Sequence, residues 1–270
     1  MFPNIIIFNK EIPFYSVFAL IGIFAVLGYT QVLAKKRKSD DIEMLCIMLW
    51  SFVGVFVGGH ILYGITNIKI IAVLPELLSK CKGFSDVVYI FGQIFGGAVF
   101  YGGLFGAMLV CFIYTKKKKL DYAEYVDVAA SSIPLFHFFG RLGCFSSGCC
   151  YGVESPVGFV MHHSPAAEAN GVTRFPVQLV EAGCNLIIFL VLYFLIKKGK
   201  AKGKILDIYL LSYAPVRFIL EFFRGDAIRG FVGPLSTSQF ISLLIIIVVI
   251  PIMIIRHKKE NRIFSENRAN

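Results

Sequence analysis

The sequence predicts an all-α polytopic membrane protein of seven transmembrane helices, and three observations carry that prediction. Hydrophobic residues make up 57% of the 270 and charged residues only 16%, with a mean hydropathy of +0.73, well outside the norm for a globular protein. The apolar residues fall in runs of roughly 20, the length that crosses a hydrocarbon core of about 30 Å. The basic residues lie between those runs, so the net charge of +10 belongs to membrane loops and not to a nucleic-acid-binding surface.

Spans are predicted at 13–34, 43–66, 88–114, 122–140, 178–196, 205–224 and 235–255, in a single integral membrane domain covering 1–270. Basic segments follow spans one, three, five and seven: Lys35 to Lys38, Lys116 to Lys119, KKGKAKGK at 197–204, and the tail beginning at Arg256. Counted as far as Arg262 these hold 17 of the 27 Lys and Arg residues, with Arg268 further along the same tail, whereas the alternate segments 67–87, 141–177 and 225–234 hold six. Because Lys and Arg loops stay on the cytoplasmic side, the N-terminus is expected outside and the C-terminus in the cytoplasm. The opening MFPNIIIFNKEIP has neither a basic region nor a cleavage site, so no removable signal peptide is expected. No internal repeat is evident, which withholds support from an inverted-repeat transporter.

Within the spans, Gly54 and Gly58, and Gly102 and Gly106, have the small-xxx-small spacing that lets helix backbones approach closely. Gly96-Gly97 and Gly102-Gly103, flanking Tyr101, predict that span three is irregular or lines a cavity.

The chemistry gathers at the extracytoplasmic ends of the helices. Span six carries YAPVRFILEFFRGD, in which Arg217 lies about eight residues, or roughly 12 Å, below the outer boundary. An arginine there costs about 2.5–3.5 kcal/mol or more on insertion, so it should face the bundle interior and be paired. Glu221 is one turn above it and Tyr213 one turn below, on one helical face. An internal ion pair that only locks the bundle is one reading. A fixed guanidinium whose forked donors hold a phosphate is the other.

A second segment, HFFGRLGCFSSGCCYG at 137–152, places His137 and Arg141 on one face if the helix persists, amid glycines suited to close backbone approach. A third, TRFPVQLVEA at 173–182, brings Arg174, Gln178 and Glu181 to the outer boundary, as interfacial anchors or as another polar wall of the same site. Of seven cysteines, Cys46, Cys111 and Cys184 sit in apolar runs and read as small packing residues. Cys144, Cys149 and Cys150 cluster in the polar segment, but no second Cys/His pair completes a zinc site, so neither a metal nor another cofactor is expected. A disulfide involving Cys144 stays open, whereas vicinal Cys149–Cys150 pairing would be strained.

These segments in this order resemble the prolipoprotein diacylglyceryl transferase family. The likeness runs through IPFYSVFAL, GVFVGGHILYGI, FYGGLFGA, HFFGRLGCFSSGCCYG, RFPVQLVEA, VRFILEFFRGD and LSTSQFISL, over nearly the whole chain. It implies transfer of a diacylglyceryl group from phosphatidylglycerol to the lipobox cysteine of a prolipoprotein signal peptide, forming a thioether and releasing glycerol-1-phosphate. The partners implied are those two substrates and membrane lipids, with no nucleic acid. The implied location is the bacterial cytoplasmic (inner) membrane, multi-pass, with the site facing outside.

On this resemblance Arg141 and Arg217 would stabilise the leaving phosphate, Glu221 would orient Arg217, and Tyr213 would steady the headgroup. Tyr15 matches the family's first-span tyrosine, and Gly152 the glycine that closes its signature. Gln178 and Glu181 join the substrate-binding wall. The chain departs from the family pattern at four places. Tyr101 stands where many members have histidine, His60 where they have arginine, and Cys144 and Cys149 replace the usual Asn and Glu, as in a cysteine-rich branch. These changes open the question of the general base, for which His137 comes first, Tyr101 second and His60 third. A divergent relative with another acceptor, or an anion transporter using the arginines as a relay, are the competing functions.

Overall fold

The computed structural model describes residues 4–7, 10–37, 39–97, 99–226 and 230–269. Among the described residues ten helices run in chain order: α1 (Phe14–Lys36), α2 (Asp41–Thr66), α3 (Ile68–Ala72), α4 (Leu74–Ser79), α5 (Phe84–Phe95), α6 (Phe100–Lys118), α7 (Tyr122–Ser147), α8 (Val177–Lys197), α9 (Ile205–Leu220) and α10 (Thr237–Ala269). Three short antiparallel pairs accompany them: β1 (Asn4–Ile7) with β2 (Lys10–Pro13), β3 (Glu154–Val160) with β4 (Thr173–Arg174), and β5 (Phe231–Val232) with β6 (Leu235–Ser236). Among the described residues α1, α2, α7, α8 and α10 are each long and apolar enough to cross a membrane. The side-chain distribution agrees with lipid around them. Phe24, Phe56, Phe105, Ile187 and Ile247 are more than half exposed, while Gln178, Glu181, Asn185 and Glu221 are buried. An apolar exterior over a polar interior suits hydrocarbon and would be a liability in water.

The helices overlap the predicted segments; α10 runs on past residue 255 to Ala269, and three further segments differ. Span 88–114 is not one helix: α5 stops at Phe95, Gly96 and Gly97 bend, and Val99 is extended (φ −104°, ψ 123°) before α6 begins. Two consecutive glycines weaken the helix there, and the Val99 amide donates to the Gly59 carbonyl of α2 (3.0 Å) and not to its own helix. Span 122–140 is too short, because α7 runs on to Ser147 and carries Arg141 and Cys144 on helix. Span 205–224 loses its last turn, where α9 gives way to a 3-10 turn over Glu221–Phe223.

The chain folds as two compact units, 33–125 and 1–32 with 126–270. In the first, α2 and α6 pack through the paired glycines that the sequence marks. A Cβ on Gly58 would overlap the Gly102 carbonyl oxygen, and one on Gly106 would overlap the Gly54 carbonyl oxygen. The far end of the same pair is tied by Glu43, which accepts from the Tyr114 hydroxyl (2.6 Å) and the Lys118 ammonium (3.0 Å). Gly58→Leu is therefore expected to destabilise the protein by about 1–3 kcal/mol through overpacking, seen as a lower Tm of the purified protein in detergent.

In the second unit α1 lies along α7, with Gly22 against Phe136 and Phe139 and Gly143 against the Tyr15 ring and Phe18. The Tyr29 hydroxyl and Ser131 share a hydrogen bond (2.9 Å). Asp127 of α7, 2% exposed, accepts from the Gly203 (2.6 Å) and Ile205 (3.1 Å) amides at the start of α9. It supplies a cap that this helix lacks locally. Arg256 of α10 pairs with Asp207 of α9 (2.9 Å).

Candidate active site

The site lies in the second unit, where α7, α8, α9 and the start of α10 bring polar side chains together. Its centre is Glu181 of α8, 1% exposed. One carboxylate oxygen accepts from the Arg141 guanidinium of α7 (3.0 Å) and from the Tyr213 hydroxyl of α9 (2.6 Å). A carboxylate this buried is tolerable because both a charge and a hydroxyl answer it. Asn185, fully buried one turn on, donates to the Glu181 carbonyl (2.9 Å) and faces His137. His137 and Arg141 are on one face because α7 persists through both. The His137 Nδ1 shares a hydrogen bond with the Tyr209 hydroxyl (3.2 Å), and its ring lies 5.3 Å from that of Tyr213. Tyr209 and Tyr213 stack on each other, one turn apart on α9.

Arg217 is set one turn further along α9. Its Nη2 is ion-paired with Glu221 (2.6 Å) and donates to the Ser238 hydroxyl of α10 (2.9 Å). Its Nη1 is buried with no hydrogen-bond partner among the described residues. A buried guanidinium N–H is costly to leave unanswered, so this nitrogen marks a place for an acceptor. Glu181 is within electrostatic range of Arg217 as well as of Arg141, which makes the site a charge-balanced network and not a bare cationic patch. A third pair, Arg224 with Asp226 (2.5 and 2.9 Å), lies within electrostatic range of Arg141 and Cys150.

Helix α7 ends in a way that the sequence accounts for. Gly148 adopts φ +72°; its amide bonds the Phe145 carbonyl (3.2 Å), and the Cys149 amide bonds the Cys144 carbonyl (3.2 Å). That is a Schellman stop, which favours glycine at the left-handed position. The turn folds Cys149 and Cys150 back over Cys144, so that the three sulfurs lie within 4.8 Å of one another. None of the three is in a disulfide. Gln178, 2% exposed, locks the turn by donating to the Cys149 carbonyl (2.9 Å).

Gly152 sits where three stretches of backbone converge. It bridges Arg224, while Val153 donates to the Phe223 carbonyl and accepts from the Phe175 amide, each at 3.0 Å. A Cβ on Gly152 would overlap the Phe175 carbonyl oxygen. Gly152→Ala should therefore pry the loop off α8 and the end of α9 and remove most activity, with increased proteolysis between residues 148 and 176 as the accompanying readout.

Arg174 does not join the site. Its guanidinium lies 4.6 Å from the Tyr151 ring centroid and donates to the carbonyls of Glu168 (2.5 Å), Ala169 (3.3 Å) and Gly152 (3.3 Å). It staples the loop. Glu168 in that loop is held below the usual carboxylate range by its own backbone amide and by the Tyr151 hydroxyl at 2.8 Å.

Tyr15 is half exposed, packed against Gly143 and within electrostatic range of Arg141 and all three cysteines. Tyr213, expected to steady a headgroup, donates its hydroxyl to Glu181 (2.6 Å). His60 belongs to the other unit, with its Nδ1 on the Phe95 carbonyl (2.6 Å) and its ring edge-on to Phe56. Tyr101 is in α6 by its backbone, but its side chain is outside the described residues. Sequence reasoning passed over Tyr209, Asn185, Arg224, Asp226 and Ser238. The first could have been found from its spacing of four to Tyr213, and the Arg224–Asp226 pair from the RGD that closes its motif. Nothing in the sequence singles out Ser238.

Comparison with known proteins bears on the same segments. A family model described as prolipoprotein diacylglyceryl transferase matches residues 3–255. The chain is similar to the phosphatidylglycerol--prolipoprotein diacylglyceryl transferase of Clostridium tetani, 32% identical over 244 residues, covering 90% of this chain and 92% of that one. A protein of Clostridium perfringens, named as number 2 of that activity, is 32% identical over 89% of this chain and 90% of its own length. The protein of that name from Idiomarina loihiensis is 33% identical over 93% and 90%. With a match that takes in every segment of the site, the chain belongs to the prolipoprotein diacylglyceryl transferase family.

Proposed function

We propose that this chain transfers a diacylglyceryl group from phosphatidylglycerol to the lipobox cysteine thiol of a prolipoprotein signal peptide, forming a thioether and releasing glycerol-1-phosphate. The observation that carries the reading is Arg217. Glu221 and Ser238 fix one of its terminal nitrogens, while the buried Nη1 has no hydrogen-bond partner among the described residues. A guanidinium so held offers a preorganised donor to a phosphate oxygen in a region of low dielectric, where charge stabilisation is strongest. Arg141, oriented by Glu181 and Tyr213, supplies the second donor. As the C–O bond to the phosphate breaks, both arginines meet the growing negative charge. His137, held by Tyr209, is the base that takes the thiol proton, since the thiolate is the nucleophile. Tyr15 and Gly152 border the entry for the acceptor.

The topology that suits this chemistry has seven crossings, with α5 and α6 together as the third and α9 with its 3-10 turn as the sixth. The N-terminus lies outside and the C-terminus in the cytoplasm of the bacterial cytoplasmic membrane, so the site faces out. Charge parity of the four basic segments supports it. Lipid can then enter between helices while the acceptor peptide comes from the extracytoplasmic side. The test is incubation of the purified chain with phosphatidylglycerol and a lipobox peptide, followed by mass spectrometry. The diacylglyceryl adduct should form on the cysteine peptide and not on its serine counterpart. Absence of adduct in a folded, lipid-supplied preparation overturns the reading.

A further inference from the structure

The three cysteines at the end of α7 are unaccounted for by the phosphate chemistry, and they are placed with care. The Schellman stop returns Cys149 to Cys144, and Gln178 holds that turn by its carbonyl. Cys150 adopts φ +55°, a left-handed conformation that costs a non-glycine residue about 1–2 kcal/mol. The strain persists where it turns a third sulfur toward the other two, all within 4.8 Å.

We propose that Cys144, Cys149 and Cys150 hold a zinc ion as three ligands and leave its fourth position to the thiol of the acceptor peptide. Zn–S bonds of about 2.3 Å set ligand sulfurs about 3.8 Å apart, so modest side-chain rotation closes the observed spread. Three protein ligands with one open position is the arrangement of a catalytic zinc, whereas structural sites are closed by four. Three thiolates and Zn²⁺ leave one net negative charge. The structure supplies its counterpart: Arg141 is within electrostatic range of Cys144 and Cys150, and Arg224 of Cys150. Cysteine ligands suit zinc better than the oxygen-preferring magnesium or calcium.

The site deepens the transferase reading and rests on it for the reaction, though not for the metal. A thiol that coordinates zinc loses its proton outright, and that proton passes to water at the outer boundary. The bound sulfur attacks the glyceryl carbon of phosphatidylglycerol, and the bond between that carbon and the phosphate-ester oxygen breaks. The electron pair leaves with the oxygen of glycerol-1-phosphate, beside Arg141 and Arg217. The thioether formed is a weaker ligand and departs. No oxidant or reductant is consumed. On this route the metal takes over the thiol activation that the metal-free reading gives to His137.

The test begins with the full chain, purified under reducing conditions, loaded with zinc chloride and freed of excess metal. Elemental analysis should find about one zinc per chain. The Cys149→Ser, Cys150→Ser double variant should find none, and Cys46→Ser should match the wild type. Loading with cobalt(II) gives a readout besides activity. A sulfur-to-cobalt charge-transfer band is expected, which strengthens on adding the cysteine peptide and is unmoved by the serine peptide. Retention of zinc by the double variant, or no cobalt band, overturns the site. A band indifferent to the cysteine peptide overturns the open position. Undiminished transfer by the metal-free double variant defeats zinc activation while the transferase reading stands. A full cobalt response in a chain that makes no adduct defeats the transferase reading instead.

Discussion

Replacing Arg217 with alanine is expected to lower kcat/KM for diacylglyceryl transfer by about 10³-fold, the upper range for loss of one preorganised donor to a developing oxyanion. The loss has two parts. The open Nη1 disappears, and with it the donor aimed at the phosphate. Glu221, buried and paired to Arg217, loses that ion pair, which can destabilise the protein by itself. Arg217→Lys separates the two. An ammonium keeps Glu221 paired and the bundle folded, but it cannot hold Glu221 and Ser238 on one nitrogen while presenting a second in fixed geometry. Its Tm should stay near the wild type while kcat/KM falls by about 10²-fold. Ser238→Ala, which removes only a support for the guanidinium, should cost a few-fold. Transfer rates by Arg217→Lys and Arg217→Ala that both match the wild type would remove Arg217 from phosphate binding.

The membrane class and five long apolar helices were legible because hydrocarbon imposes length and composition directly. What composition could not supply was continuity. Span three is apolar throughout, yet it breaks between Phe95 and Phe100, because the Val99 amide finds the Gly59 carbonyl across α2. That is a tertiary contact with no local signature beyond the paired glycines.

The site was legible in its charged members and not in their pairing. Arg217 and Glu221 announce each other by a spacing of four on one helix. Arg141 and Glu181 are on different helices, so no spacing links them. Tyr213, which shares a face with Arg217, gives its hydroxyl to Glu181 of α8. The cysteines are the clearest case. Read along the chain, they lack the paired spacing of a zinc motif. Folded, the glycine at 148 supplies the reversal that spacing alone cannot express.

The Arg141–Glu181 pair gives the other large effect, and a double substitution exposes it. Glu181 is buried and answered by Arg141 and Tyr213; Arg141 is itself only one-fifth exposed. Removing either charge alone strands the other in a poorly solvated interior. Glu181→Ala and Arg141→Ala should each destabilise the protein by about 3–5 kcal/mol. Removing both leaves neither member of the pair stranded. With residues of similar volume, Glu181→Leu combined with Arg141→Met should recover much of that loss, because replacing a buried ion pair by packed apolar side chains is often neutral or better.

Transfer should not recover with stability. Arg141 supplies one of the two cationic donors around the leaving phosphate, and the doubly apolar site has lost it. Expected, then, is a variant with a Tm close to the wild type and kcat/KM down by at least about 10²-fold. A pair that merely locked the helices would behave otherwise, with activity returning alongside Tm. Measured on the same preparations, thermal melting and adduct formation thus distinguish an ion pair kept for architecture from one kept to aim Arg141 at the phosphate.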